Sequence, residues 1–492
     1  MRSKNYFLLL VAFICFSSFV IAQPETQIKV TIHNLPDSPI ILGHHFNKML
    51  YPDDTIKLNN KGYGVFEAQK AYPGGMYFIY LPTGKYFDIL LSADQQFSIE
   101  NDTTDFLQNM TINGSEENQL FYNYQKFLVK KREEASALQK EKSAATSEEN
   151  KKEIDQKLDK ISQDVKDYMN NLIKSHPDMF LSKFLLATKE IDVPEPPRDE
   201  NGNITDSLFQ YRYYKKHFFD NFDVSDPRLL RTPIYEDRIN YYLDKIVPQI
   251  PDSINNEVDR LIEKSRSSDE LFRFMLVSLF NKYAKSQIMG MDAVFVHIAE
   301  KYYIPEASWS DTAFISKLKK EVAKTEPLLI GKKAPDIQLV EVPADHFMAA
   351  ADDDTLKKNV YVGDFFNLYD IQAKYTVLVF WEADCGHCKK AMPVLYDLYV
   401  NRLKKEGVEI IAVHMLSGEE GKIKWVNFVN DHGFYEWINA WNPYDYSYKA
   451  KYNVTSTPTV FVLDKDKKII AKRIGMEQID EVIKAYESMH NH

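Results

Sequence analysis

Two cysteines, Cys385 and Cys388, stand where a strand pattern gives way to a helical one. Thr376 to Trp381 is an apolar run rich in valine and aromatic residues, the pattern of a fully buried strand. From about Gly386 to Lys405 the apolar residues recur at helical spacing. The whole stretch, Val377 to Pro393, reads V-L-V-F-W-E-A-D-C-G-H-C-K-K-A-M-P. A buried strand running into a helix, with both thiols at the junction, demands an α/β unit and puts Cys385 just before the first helical turn.

That placement has a chemical consequence. Only a thiolate attacks a disulfide, and unpaired backbone N–H groups and the helix dipole stabilise an anion at a helix N-terminus. Cys385 is therefore the expected attacking residue. Cys388, one turn further in, is placed to resolve a mixed disulfide by striking the Cys385 sulfur. Gly386 permits close approach of a partner backbone. His387 can hydrogen-bond to the Cys385 thiolate or favour it electrostatically, which stabilises the reduced form and makes the pair more oxidising. A zinc site needs more ligands than these two cysteines and His387 supply, so no metal is expected. A purely structural disulfide here closes too small a loop to restrict the unfolded chain much.

The rest of the chain bounds the setting. Residues 1–22 carry Arg2 and Lys4, then an apolar stretch from Phe7 to Val20, then Val20-Ile21-Ala22 before Gln23. This is the pattern of a secretory signal peptide and predicts export to the periplasm or cell envelope. Its apolar core is short of the roughly 20 residues of a membrane-spanning helix, and no longer apolar run follows. Cys15 lies inside this segment but is preceded by Ile14 rather than a small residue, which disfavours lipidation. The formal charge is −10, and loss of Arg2 and Lys4 makes the chain more acidic still. Nucleic acid and anionic lipid are therefore excluded as expected partners. With Cys15 gone, an exported chain with two cysteines does not use disulfides as staples, so the pair is expected to be chemical.

At 492 residues the chain predicts about three domains on a prior of roughly 150 residues each. Residues 23–114 alternate as strands, for example Ile28 to Ile32, Met76 to Leu81 and Phe87 to Leu91, separated by Pro- and Gly-rich turns. A small antiparallel sandwich is expected there. Residues 115–330 are helical, with a hairpin over 115–190 and a block over 207–328. Ile154, Leu158, Ile161, Val165, Tyr168 and Leu172 form an a/d seam in the second hairpin helix, which the capping pattern Thr146-Ser147-Glu148-Glu149 starts. Val193 to Pro197 breaks the pattern. Residues 331–492 read β-α-β-α-β-β-α, with an acidic loop over Ala349 to Asp354 and a tryptophan-rich connector before the strand at Pro458. The fold class is thus multidomain: a β-sandwich-like domain, a central all-α region and a C-terminal α/β domain.

Residues 331–492 resemble the thioredoxin fold, and more closely the exported thiol-disulfide oxidoreductases of the TlpA/ResA type. Three marks carry the likeness: Cys385-Gly386-His387-Cys388 after the Trp381 strand, Pro393 five residues beyond the second cysteine, and Ser456-Thr457-Pro458-Thr459 opening a late strand. The resemblance implies a cis peptide bond at Thr457-Pro458, facing the cysteines. It implies catalysis by Cys385 and Cys388, supported by Gly386, His387, Trp381, Thr457 and Pro458. The redox-active disulfide serves in place of any cofactor. Partners are then envelope proteins with thiols or disulfides, and an upstream redox partner that resets the pair. Relatives of this type are typically reductants, whereas Cys-Gly-His-Cys matches protein disulfide isomerase, so a disulfide oxidase or isomerase is the alternative. Val379 and Ala391 stand where thioredoxin and ResA-like proteins respectively keep a carboxylate; Glu382 and Lys389 are nearby charged residues. The modules before residue 331 resemble those preceding such domains in exported Bacteroidetes proteins and suggest presentation or partner choice. A non-catalytic envelope scaffold is the reading of another class.

Overall fold

The computed structural model describes residues 24–361 and 363–490. The expected export segment, with Cys15, lies outside the described residues. The chain divides into two compact units, Met1–Tyr242 and Leu243–His492. The division falls inside the helical region expected over 115–330.

The first unit opens with two four-stranded sheets. One has the order Tyr63–Ala68, Thr26–His33, Gln96–Asp102, Thr111–Asn113; the other has Met49–Lys57, Pro39–Phe46, Gly75–Tyr80, Tyr86–Leu91. The expectation of a wholly antiparallel arrangement fails at one pair. Thr26–His33 runs parallel to Gln96–Asp102, Val30 opposite Ile99, because the strands of the second sheet intervene in sequence as a long crossover. Ile28, Val30 and Ile32 are fully buried, as their alternation requires.

The helices Glu116–Ala144 and Glu148–Ser175 follow as a hairpin. The side chains of Ser115 and Ser147 cap them, accepting from the backbone N–H of Asn118 and Asn150. Along the seam only Ile154 and Leu172 are buried; the residues between are half-covered, as a seam with one partner helix must be. Phe127 stacks on Tyr168 at 4.4 Å, and Lys131 donates to Asp164 at 2.8 Å across the pair. Further on, Phe218, Phe222, Tyr235 and Tyr242 are buried, a packed aromatic core.

The second unit joins the helices Pro251–Lys264, Asp269–Ala284 and Thr312–Thr325 to a seven-stranded sheet. Its order is Phe365–Asn367, Gln338–Glu341, Ile438–Trp441, Val408–His414, Tyr375–Trp381, Thr459–Asp464, Ile469–Lys472. Tyr375–Trp381 and Val408–His414 are parallel, and Thr459–Asp464 is antiparallel to the first of them. All seven residues of Tyr375–Trp381 are buried, because helices cover both faces. Val377, Val379 and Trp381 share one core with Cys388, Met392 and Trp425. Leu378 and Phe380 share the other with Tyr448, Tyr452 and Phe461.

Two local expectations are corrected. The tryptophan-rich connector contains the strand Ile438–Trp441, with Trp437 and Trp441 buried; four residues are too few for a period to declare itself. The acidic stretch from Ala349 to Asp354 is not a simple loop but links the short helices Ala344–Ala349 and Asp354–Lys358, the second capped by the Asp353 side chain. An acidic run is also what caps and starts a helix.

Candidate active site

The site begins with the exit from Tyr375–Trp381. After Trp381 the chain turns through Glu382 to Asp384, and Cys385 occupies the N-cap of the helix Gly386–Asn401. No side chain caps this helix, so its first N–H groups are left for whatever sits at the Cys385 sulfur. Cys385 is partly exposed and Cys388 is fully buried, and both are free thiols.

The two thiols differ sharply. Burial raises the Cys385 pKa, but hydrogen bonds outweigh it, first from the Cys388 backbone and thiol, then from Thr457 and the His387 backbone, and the net position is below an ordinary thiol. Burial in the apolar core pushes the Cys388 thiol up to about 12. At neutral pH the outer sulfur is thus the one inclined to ionise.

Facing them is the segment Ser456–Thr459. The Thr457–Pro458 peptide bond is cis. The Cys385 Sγ–H donates to the Thr457 carbonyl oxygen at 3.3 Å, and the Thr457 hydroxyl donates to Glu382 Oε2 at 3.3 Å. The structure therefore brings Cys385, Cys388 and Thr457 together with Glu382.

The other expected site residues fall at different distances from the sulfurs. A Cβ at Gly386 would meet nothing within 4 Å, so the space above the first turn is open to a partner and the fold itself does not demand glycine. His387 is exposed on that turn and lines a groove with Pro458. Trp381 lies beneath the surface, fully buried, packing on His414 and Phe428 with ring centroids 5.6 and 5.5 Å away. It supports the site from below. Val379 is fully buried in the core that holds Cys388, and Ala391 is half-covered beside the groove. Lys389 is exposed. Pro393 sits inside the helix.

Sequence reasoning missed His414. It ends Val408–His414 in register with Trp381, buried, stacked on Trp425 at 4.6 Å. Neither ring nitrogen has a hydrogen-bond partner among the described residues, nor do the indole nitrogens of Trp381 and Trp425. Burial, and secondarily the Lys449 cation, lower its pKa to about 3. The available signal was alternation: Val408, Ile410, Ala412 and His414 point to one face, the one Cys388 packs on.

Among the described residues no three His, Cys, Asp or Glu side chains converge on a possible metal position, and no helix is long and apolar enough to cross a membrane.

Comparison with known proteins agrees with this geometry. Residues 372–469 match a family described as thioredoxin-like, and residues 143–326 match a domain of unknown function, DUF5106. Thiol-disulfide oxidoreductase ResA of Bacillus thuringiensis (strain Al Hakam) is 32% identical over 166 residues, covering 33% of this chain and 80% of ResA. A thioredoxin-like protein of Haemophilus influenzae is 30% identical over 106 residues, 21% of this chain and 58% of that one. Among solved structures, a domain of a possible thiol-disulfide isomerase from Cytophaga hutchinsonii is 34% identical, covering 33% of this chain and 96% of that one, at a TM-score of 0.27. A thioredoxin-like protein from Bacteroides caccae is 17% identical over 61% of this chain and 99% of its own, at a TM-score of 0.41. With 80% of ResA matched at 32% identity, the chain belongs to the ResA family of thiol-disulfide oxidoreductases.

Proposed function

We propose that this protein is an exported oxidoreductase that reduces protein disulfides through the dithiol Cys385–Cys388. The observation that carries the dithiol chemistry is the split between the two thiols: Cys385 is held below the ordinary thiol range at a helix N-terminus, and Cys388 far above it in the core; the reducing direction rests on the resemblance to TlpA/ResA-type proteins. In the first step the Cys385 thiolate attacks one sulfur of a substrate disulfide. A mixed disulfide forms and the other substrate sulfur leaves as a thiolate. In the second, Cys388 gives up its proton and its sulfur attacks Sγ of Cys385. The second substrate thiolate departs, and the substrate has gained two electrons at the cost of an oxidised Cys385–Cys388 pair. Burial keeps the Cys388 proton in place until a base arrives, and the first departing substrate thiolate is such a base. No carboxylate stands at Val379 or Ala391 to take that role. No cofactor beyond the disulfide is needed; a reduced protein dithiol of the envelope resets the pair.

Purified mature chain should reduce insulin, and Cys385→Ser should abolish the reaction; unchanged turnover in that variant would sink the proposal. One observation favours a second reading. A depressed Cys385 pKa stabilises the dithiol and pushes the pair toward disulfide oxidation or isomerisation. Redox titration against glutathione separates the two: a potential near that of thioredoxin fits a reductase, one near that of protein disulfide isomerase fits the alternative.

A further inference from the structure

Between His387, two residues beyond Cys385, and the cis-Pro458 runs a groove of about 570 Å³. One wall is a single helix face: His387, Lys390, Ala391 and Val394 follow one another at the spacing of successive turns. Val394 is 55% exposed, an apolar side chain without cover. The other wall is the cis-Pro458 and the turn after the strand Ile469–Lys472, including Arg473, Ile474 and Met476.

The charges in this groove are the informative part. The chain as a whole is acidic, and many cations of this unit are committed to carboxylates, among them Lys374, Lys404, Lys424 and Lys472. Among the described residues neither Lys390 nor Arg473 makes an ion pair, and the Arg473 guanidinium donates to the carbonyl of Asn453 at 3.5 Å. Arg473 also holds left-handed backbone, φ 54, a conformation unfavourable for a residue with a side chain and a marker of functional constraint. The preceding Lys472 is buried, whereas Arg473 is exposed at the edge of the groove, which it shares with a neighbouring cavity that Asn453 and Lys472 also line. The one acid of the lining, Glu477, is folded back over Gly475 into the space a Cβ there would take.

From this we infer that Lys390 and Arg473 select polypeptide disulfides in which a carboxylate and an apolar side chain lie within a few residues of the attacked cysteine. The apolar side chain covers Val394 and the partly exposed Ile474, and the carboxylate meets the two uncommitted cations. The inference rests on the proposed redox reading, since it assigns the groove to the substrate of Cys385, and it adds which substrates react fastest.

The test uses the mature chain and a set of looped peptides, each closed by one disulfide. Their sequences are identical except for Asp, Asn or Lys two residues from a cysteine. At low salt kcat/KM should fall in the order Asp, Asn, Lys, with about a tenfold span for two partly exposed charge pairs. The span should collapse in roughly 1 M salt, where the screening length is about 3 Å. Lys390→Glu combined with Arg473→Glu should reverse the order, and the single change Lys390→Gln should roughly halve the span on a logarithmic scale. A flat order, or an order that survives the charge reversal, overturns the inference. The same peptides with serine in place of cysteine, titrated calorimetrically, separate this from the redox reading. Tighter binding of the Asp peptide without turnover of any disulfide peptide would sink the redox reading and keep the docking site. Turnover with indifferent binding would do the opposite.

Discussion

The sulfur of Cys385 donates its hydrogen to the carbonyl oxygen of Thr457 at 3.3 Å; burial and this acceptor favour the thiol, while hydrogen bonds from Cys388, the Thr457 side chain and the His387 backbone favour the thiolate. The donors prevail, and the pKa lies below an ordinary thiol. The consequence for reactivity follows from sign alone. The thiolate fraction rises with pH through the folded pKa, so Cys385 should be alkylated by iodoacetamide at lower pH than a free cysteine. Cys388, pushed up to about 12 and fully buried, should stay unmodified in the native chain at all pH values below about 10. Mass spectrometry of the chain from Gln23 onward, which lacks Cys15, checks this after a pH series: one label per native chain and two per unfolded chain. Equal labelling of both cysteines in the native state would contradict the geometry.

His414 makes an acid-sensitive core. Its imidazole is buried between Trp381 and Trp425 and has its pKa lowered to about 3, against about 6.5 in the unfolded chain. Above pH 6.5 both states are neutral and the residue is indifferent. Below it the unfolded state takes a proton that the folded state refuses, so stability is lost as pH falls from 6.5 toward 3. Between pH 7 and pH 5 the loss from this residue should be about 2 kcal/mol. His414→Phe keeps a ring against Trp425 and removes the proton site. Urea unfolding of both proteins at the two pH values should show the wild type losing about 2 kcal/mol more than the variant. Parallel losses would place the sensitivity elsewhere.

The legibility of the chain follows the same physics. The site was readable because its marks are local: a buried strand, a helix start and two thiols between them, then Thr457-Pro458 before another strand. Long periodic helices such as Glu148–Ser175 declare themselves as well. Three kinds of feature did not. Ile438–Trp441 is too short to show a period. The parallel pairing of Thr26–His33 with Gln96–Asp102 is a relation between strands far apart in sequence. His414 and Arg473 acquire meaning only from what packs around them, the first from two tryptophans and the second from a turn that presents it beside Pro458.

Val379 offers a test of how the inner thiol loses its proton. The residue is fully buried, opposite Val460 and Ala412, in the core that holds Cys388. Val379→Asp places a carboxyl there whose pKa burial raises, so at neutral pH it is largely protonated and costs about 2 to 3 kcal/mol of stability. As pH rises it becomes a carboxylate within the core. The mixed disulfide formed by Cys385 should then be resolved faster than in the wild type, most of all above neutral pH. Quenched-flow trapping of the mixed disulfide measures this. An unaltered lifetime would show that proton removal from Cys388 does not limit resolution.

Lys472, at the end of the last strand, is nearly closed to solvent and is held by Asp292 and by the carbonyl of Leu328, the latter at 2.5 Å. Burial lowers its pKa, with Asp292 opposing the shift. Deleting one partner of such a pair is costlier than deleting the pair, because the remaining charge stays buried without compensation. Asp292→Ala should therefore cost about 3 kcal/mol, Asp292 being itself partly exposed, whereas Lys472→Met should cost about 1 kcal/mol or less. The two variants should also differ in pH dependence. In Asp292→Ala the lysine pKa falls further, so between that value and about 10.4 the unfolded state binds more protons and stability rises with pH. Lys472→Met has no such group. Thermal unfolding at pH 7 and pH 9.5 should thus show the gap between the variants narrowing at the higher pH, and a constant gap would mean that Lys472 is not a buried cation.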